Sequence, residues 1–257
     1  MPQRIVIHAG FHKTGTSTVQ TFLRKNRRAL KPALAMRLKR QMSELIHATR
    51  GYSTWRDGLT LAKVVRRFDA LLADLHPMPR RTLVLSAEEL SGHMPGRRDL
   101  ADYSAAPELA QVYCDVISAR FPHAEVAFYF TLRAPEPWLE SAYWEHVKSA
   151  SMTLDLDAFA ARYPHAADLA AAVDAVRNAI PHTVHTAHLD SDDTITPLLD
   201  ICEVPHALRA GLVYPKPVNT RLPAEVLLEL LAANRAYPDR TARKAAKQDI
   251  LSRSQDT

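Results

Sequence analysis

Near the start of the chain a short run rich in Ile and Val, RIVIHA at residues 4–9, leads into GFHKTGTS at residues 10–17 and then into a helix-forming stretch. No other feature constrains the fold as strongly. A strand, a glycine turn and a helix in that order expose the first N–H groups of the helix, which lack intrahelical acceptors and point at an anion. Gly10 and Gly15 supply the turn, and the hydroxyls of Thr14, Thr16, Ser17 and Thr18 add donors. Such a loop belongs at the carboxyl end of a buried strand, and so to an α/β sheet rather than a helix bundle or a β-sandwich.

The rest of the chain continues the alternation. Further strands are predicted over 82–86, 125–132 and 183–187, with helices over 16–25, 59–75, 108–120, 136–148, 166–180, 194–202 and 224–234. In 59–75 the apolar residues Leu61, Val64, Val65, Phe68, Leu71, Leu72 and Leu75 recur at helical spacing. The expectation is a three-layer α/β fold with a mostly parallel central sheet, formed by a single domain over 1–257. Residues 31–58 are the least regular and read as an acceptor-side insertion. Residues 238–257 form a charged C-terminal segment, in which Arg240, Arg243, Lys244 and Lys247 make a stripe that reads as a solvated helix face. Ligands of such sheets bind beyond the strand carboxyl ends, so the loops after Ala9, Ser86 and Leu132 are where chemistry is sought.

The first loop nearly matches GxxxxGK[ST], with one informative departure. Thr16 stands where a Walker loop has its lysine, and the cation appears earlier, at Lys13. A Walker lysine reaches the β- and γ-phosphates; a lysine inside the loop faces a shorter anionic group. A second anion-binding element reads YFTLRAPEPWLESAY at residues 129–143 and puts Arg133 at a strand end, with Ser141 in the helix that follows. A guanidinium fork gives phosphate two parallel hydrogen bonds.

Together these elements resemble the sulfotransferase family that uses 3′-phosphoadenosine-5′-phosphosulfate (PAPS). There a PKxGT[ST] loop holds the 5′-phosphosulfate and an Arg-x₇-Ser element holds the 3′-phosphate. His12, Lys13, Thr14, Gly15, Thr16 and Ser17 match the first, with His12 in place of the frequent proline; Arg133 and Ser141 match the second. The likeness covers roughly residues 3–25 and 125–148 and is greatest to bacterial, carbohydrate-sulfotransferase-like members. A late glycine-rich 3′-phosphate loop of some cytosolic members is not evident.

The resemblance implies transfer of a sulfuryl group from PAPS to a hydroxyl or amine of a carbohydrate, glycolipid or small-molecule acceptor, with adenosine 3′,5′-bisphosphate (PAP) as product. Lys13 is placed to stabilise charge on the bridging oxygen. Related glycan sulfotransferases often use a glutamate as base, and Glu88 is the first candidate here, Glu89 the second, both just after the 82–86 strand. A helix-capping role is the alternative for either carboxylate. His12 and His93 stand in reserve. The twelve histidines lack metal-site spacing, so no metal is expected.

Charge is unevenly distributed. Arg4, Lys13, Arg24, Lys25, Arg27, Arg28, Lys31, Arg37, Lys39 and Arg40 all precede the first acidic residue, Glu44, in a chain of net charge +5. That field suits an anionic ligand. No nucleic-acid motif accompanies it, and no nucleic-acid partner is expected. Cys114 and Cys202 lie far apart in sequence, and no apolar run is long enough to span a bilayer. A cytoplasmic location and a nucleotide-binding protein are therefore expected. The alternatives are an ATP-dependent P-loop kinase or NTPase, and a non-catalytic nucleotide- or anion-binding module.

Overall fold

The computed structural model describes residues 1–78, 80–190, 193–215 and 222–254. The strands are β1 (Arg4–His8), β2 (Leu34–Leu38), β3 (Thr82–Ser86), β4 (Glu125–Leu132) and β5 (Thr183–His188). They form one all-parallel sheet in the order β2-β3-β1-β4-β5. The helices are α1 (Thr16–Lys25), α2 (Arg27–Leu30), α3 (Ser43–Trp55), α4 (Gly58–Ala73), α5 (Ala106–Arg120), α6 (Pro135–Ser149), α7 (Leu156–Arg162), α8 (Leu169–Ala179), α9 (Thr196–Ile201), α10 (His206–Arg209), α11 (Ala224–Ala236) and α12 (Arg240–Arg253). The fold is three-layer α/β, as the alternation requires.

Two compact units make up the chain: Met1–Pro135 with His165–Pro215, and Glu136–Pro164 with Lys216–Thr257. The first holds the whole sheet. The period of two along its strands sorts its apolar residues. Val6, Val84, Ala127, Tyr129 and Ala187 face one layer and pack with Val19, Phe22 and Leu23 of α1 and Leu198 and Leu199 of α9. The intervening Ile5, Ile7, Leu83, Leu85, Phe128 and Phe130 are also buried, so the sheet is covered on both faces.

Residues 31–58 are more regular than their composition indicates. They contain the edge strand β2 and helix α3. The strand residues LAMRL have helical rather than strand preference, and pairing of Leu34–Leu38 with Thr82–Ser86 overrides it. Arg4, counted above with the basic field, lies at the amino end of β1, where Glu125 and Glu203 each accept from it at 2.6 Å. That is the end of the sheet opposite the glycine loop, so Arg4 does not contribute to the loop's immediate surroundings.

In the second unit Phe159 of α7 packs among Tyr143, His146 and Tyr163, with ring centroids 5.6, 5.5 and 5.1 Å away. The charged C-terminal segment is helical up to Arg253, and residues 255–257 lie outside the described residues. One member of its basic stripe departs from a solvated face. Lys247 is 7% exposed, and its ammonium donates to the carbonyls of Val147 and Ala150 and to Asn234 Oδ1. Asn234 in turn donates to the carbonyls of Val147 and Met152. The carbonyls at a helix C-terminus have no intrahelical donors, and a cation there also meets the negative end of the helix dipole. Lys247 is thus the cap that closes α6.

Candidate active site

The site grows out of the carboxyl ends of β1 and β3. His8 and Ser86, the last residues of β1 and β3, stand level in register, so the chain segments leaving these strands emerge side by side, while β4 runs on past Tyr129 to Leu132. Ala87 N–H donates to His8 O, and Ser91 Oγ donates to Ala9 O, which ties the two exits together.

Gly10 is required at the first bend. A Cβ there would stand 2.6 Å from Thr131 Oγ1 and 2.8 Å from Thr16 Oγ1. Gly15 has φ +91°, the left-handed region that favours glycine, and it caps α1 without a side-chain hydrogen bond. The threonines of the loop divide by direction. Thr14 Oγ1 lies 2.7 Å from Phe11 O and 2.8 Å from Thr131 Oγ1, and Thr16 Oγ1 donates to Phe11 O at 3.2 Å; both residues are buried. These two hydroxyls tie the loop to its own backbone and to β4. Ser17 and Thr18 are exposed on the first turn of α1. Lys13 itself has φ +66°, a left-handed conformation that costs a non-glycine residue about 1–2 kcal/mol.

After β3 a tight 3₁₀ turn, Glu88–Ser91, places both candidate carboxylates at the same exit. Glu88 accepts from Lys39 Nζ at 2.7 Å and from Gln20 Nε2 at 3.0 Å. Glu89 is 0% exposed, and it accepts from Lys39 Nζ at 2.6 Å and from Arg50 Nη2. Lys39 therefore bridges the two carboxylates. The opposing influences on Glu88 are burial, the largest, which raises its pKa, and the charges of His12 and Lys39 with the Lys39 hydrogen bond, which lower it; the outcome is about 2. Glu88 is ionised at any working pH.

His12 links the glycine loop to this cluster. Its Nε2 is 4.0 Å from Glu89 Oε1, and its backbone N–H donates to Tyr103 Oη at 3.2 Å. Nδ1 lies 3.1 Å from the same hydroxyl. Burial pushes the Tyr103 phenol well above its usual range, so it keeps its proton. Burial also lowers the His12 pKa to about 3, against the pull of Glu88. His12 is then neutral and binds a proton weakly, which makes it a poor base for an acceptor hydroxyl. His93, the other reserve base, accepts at its own backbone-proximal Nδ1 from Met94 N–H at 3.1 Å.

The donor atoms of His12, Glu88 and Glu89 lie within 4.8 Å of one another, close enough for a cation. Lys39 and Arg50 already bring two positive charges to those carboxylates, and a divalent ion would have to compete with them.

Arg133 follows β4, with its side chain 25% exposed and its Nε 3.6 Å from Asp190 Oδ1. Ser141 lies in the second turn of α6 and belongs to the second unit. Among the tryptophans, Trp138 is fully buried and Trp55 is 66% exposed at the end of α3.

Sequence reasoning reached Lys39 only as one member of the basic field, and it missed Arg50, Gln20 and Tyr103. Lys39 directly follows β2, so the rule that singles out strand carboxyl ends would have reached it had the edge strand been recognised. Arg50, on α3, and Gln20, on α1, carry no local signal of their own. No helix among the described residues is long and apolar enough to cross a membrane. No family model, curated protein or solved structure compared with the chain matches it.

Beneath the loop, His8 Nδ1 is 2.8 Å from Ser86 Oγ, and His8 Nε2 is buried with no hydrogen-bond partner among the described residues. Burial lowers its pKa from 6.5 to about 4, with Glu88 pulling the other way. In the unfolded chain the imidazole binds its proton near pH 6.5, while the folded chain refuses it until about pH 4. His8's contribution is complete above pH 6.5 and is lost as pH falls toward 4, about 3 kcal/mol in all. Urea unfolding at pH 7 and pH 4 is expected to show a shallower pH dependence for His8→Leu than for the wild type. Parallel profiles would remove His8 from the account.

Proposed function

We propose that the chain is a PAPS-dependent sulfotransferase acting on a hydroxyl or amine of an acceptor, with a carbohydrate or glycolipid as the favoured acceptor class. The observation that carries this reading is the glycine loop: Thr16, at the Walker lysine position, is turned inward onto Phe11 O, and the loop's own cation is Lys13. Support also comes from the carboxylates at the neighbouring strand exit, joined to the loop by His12 and Gln20.

On this reading the N–H groups opening α1 and the Lys13 ammonium receive the phosphosulfate, and Arg133 receives the 3′-phosphate. The acceptor oxygen forms its bond to sulfur as the bond from sulfur to the bridging oxygen breaks. Negative charge gathers on that bridging oxygen, and Lys13 stabilises it. Glu88 takes the acceptor's proton. Held by Lys39 it is a weak base, and an acceptor hydroxyl that displaces the Lys39 hydrogen bond restores its basicity.

Thermal denaturation with PAP and with ADP plus Mg²⁺ tests the donor. PAP at a hundred times its dissociation constant is expected to add about 2.7 kcal/mol, a rise of several degrees in Tm. A larger shift with ADP and Mg²⁺ would replace the sulfotransferase reading with the P-loop kinase or NTPase one.

A further inference from the structure

The exit of β5 carries a carboxylate to the arginine assigned to the 3′-phosphate. Leu189 N–H donates to Leu132 O at 2.8 Å, which continues the β4–β5 pairing one step beyond the strand. The Leu189 side chain sits against the glycine loop, with Cδ1 2.8 Å from the place a Cβ on Gly15 would take. This fixes the direction of the next residue. Asp190 Oδ2 accepts from Ala134 N–H at 2.8 Å, and Oδ1 stands 3.6 Å from Arg133 Nε. At that distance the pair is ionic and not hydrogen-bonded, and the buried Nε makes no hydrogen bond among the described residues.

We propose that Asp190 is a built-in competitor for the anion at Arg133, and that it sets how tightly and how selectively the chain holds a nucleotide 3′-phosphate. The proposal rests on the PAPS reading. One carboxylate oxygen takes the Ala134 amide that a phosphate could use there, and the other sets a negative charge 3.6 Å from the guanidinium, where it offsets the attraction for an anion. Because Leu189 is anchored on both sides, Asp190 stays close when a phosphate arrives. The incoming dianion must then displace the carboxylate and also bear its negative charge nearby. A carboxylate that merely oriented Arg133 would have the opposite effect, since its loss would weaken binding.

Calorimetric titration of the full chain with PAP and with adenosine 5′-phosphate, which lacks the 3′-phosphate, separates these roles. Asp190→Asn keeps an acceptor for Ala134 N–H and removes the charge; Asp190→Ser serves as a second variant should the first fail to fold. Both variants are expected to bind PAP at least tenfold more tightly, about 1.4 kcal/mol, and adenosine 5′-phosphate within twofold of the wild type. Unchanged or weaker PAP binding in the variants, with PAP still bound by the wild type, overturns the competitor role and leaves the donor reading standing. Equal tightening for both nucleotides also overturns it, because the effect would then not belong to the 3′-phosphate. Failure of the wild type and both variants to bind PAP overturns the donor reading and the competitor role together.

Discussion

Lys13→Ala is expected to lower sulfuryl transfer from PAPS by about 10²–10³-fold, the loss that follows removal of one preorganised group from developing transition-state charge. The backbone at this position provides a sharper test than alanine alone. With φ +66°, Lys13 holds a conformation that costs an L-residue about 1–2 kcal/mol and costs glycine almost nothing. Lys13→Gly relieves that strain and adds unfolded-state entropy of about 0.5–1 kcal/mol, which opposes it. The two effects nearly cancel, so Lys13→Gly is expected to lose as much activity as Lys13→Ala while staying within about 1 kcal/mol of wild-type stability. Strain held at a residue whose removal spares the fold is the mark of a functional position. Initial rates with labelled PAPS, alongside urea unfolding, measure both quantities. Wild-type turnover in either variant would take Lys13 out of the mechanism.

Arg50→Met is expected to destabilise the first unit by about 3–4 kcal/mol. Glu89 has no solvent exposure, and its charge is matched by Arg50 and Lys39. Deleting one partner of a buried pair leaves a charge that the protein must neutralise, at about 3–5 kcal/mol. Lys39 remains as a bridge, which puts the expected loss toward the lower part of that range. The reverse deletion is milder. Arg50 and Lys39 are 35% and 41% exposed, so both can turn to water when Glu89→Met removes their partner. The double variant Arg50→Met with Glu89→Met should then recover most of the loss, because neither charge is stranded. Urea unfolding of the two single variants and the double variant completes the cycle. Equal losses for Arg50→Met and Glu89→Met would mean that burial of the carboxylate is not what makes the pair matter.

These two predictions lie on opposite sides of what sequence reading reached. Lys13 was visible because its neighbours are its own loop, and the geometry of a glycine turn is encoded within a few residues. Glu88 and Glu89 were visible as a strand-end pair for the same reason. Their partners were not. Lys39 reaches Glu88 across 49 positions of chain, and Gln20 does so across 68. No periodicity or spacing records such a pairing. The recognition of β2 would have supplied half of it, but LAMRL pairs as a strand only because Thr82–Ser86 offers it an open edge. The direction of the threonine hydroxyls was equally out of reach. Thr14 and Thr16 turn inward because Phe11 O and Thr131 Oγ1 meet there, a convergence of the loop with β4.

By itself, then, the sequence determined the elements whose cause is local: the strand, the glycine turn and the helix around Lys13, the alternation that makes the sheet parallel, and the presence of an arginine and two carboxylates at strand ends. Backbone conformation and side-chain period act over roughly a turn of helix or a few strand residues, and that range is legible in one dimension. Tertiary structure alone decided which charges meet. It buried Lys247 as a helix cap, closed Lys39 and Arg50 over the carboxylates, and set Asp190 beside Arg133. Coulombic contact depends on distance in space and on burial, and both follow from packing between segments far apart in the chain.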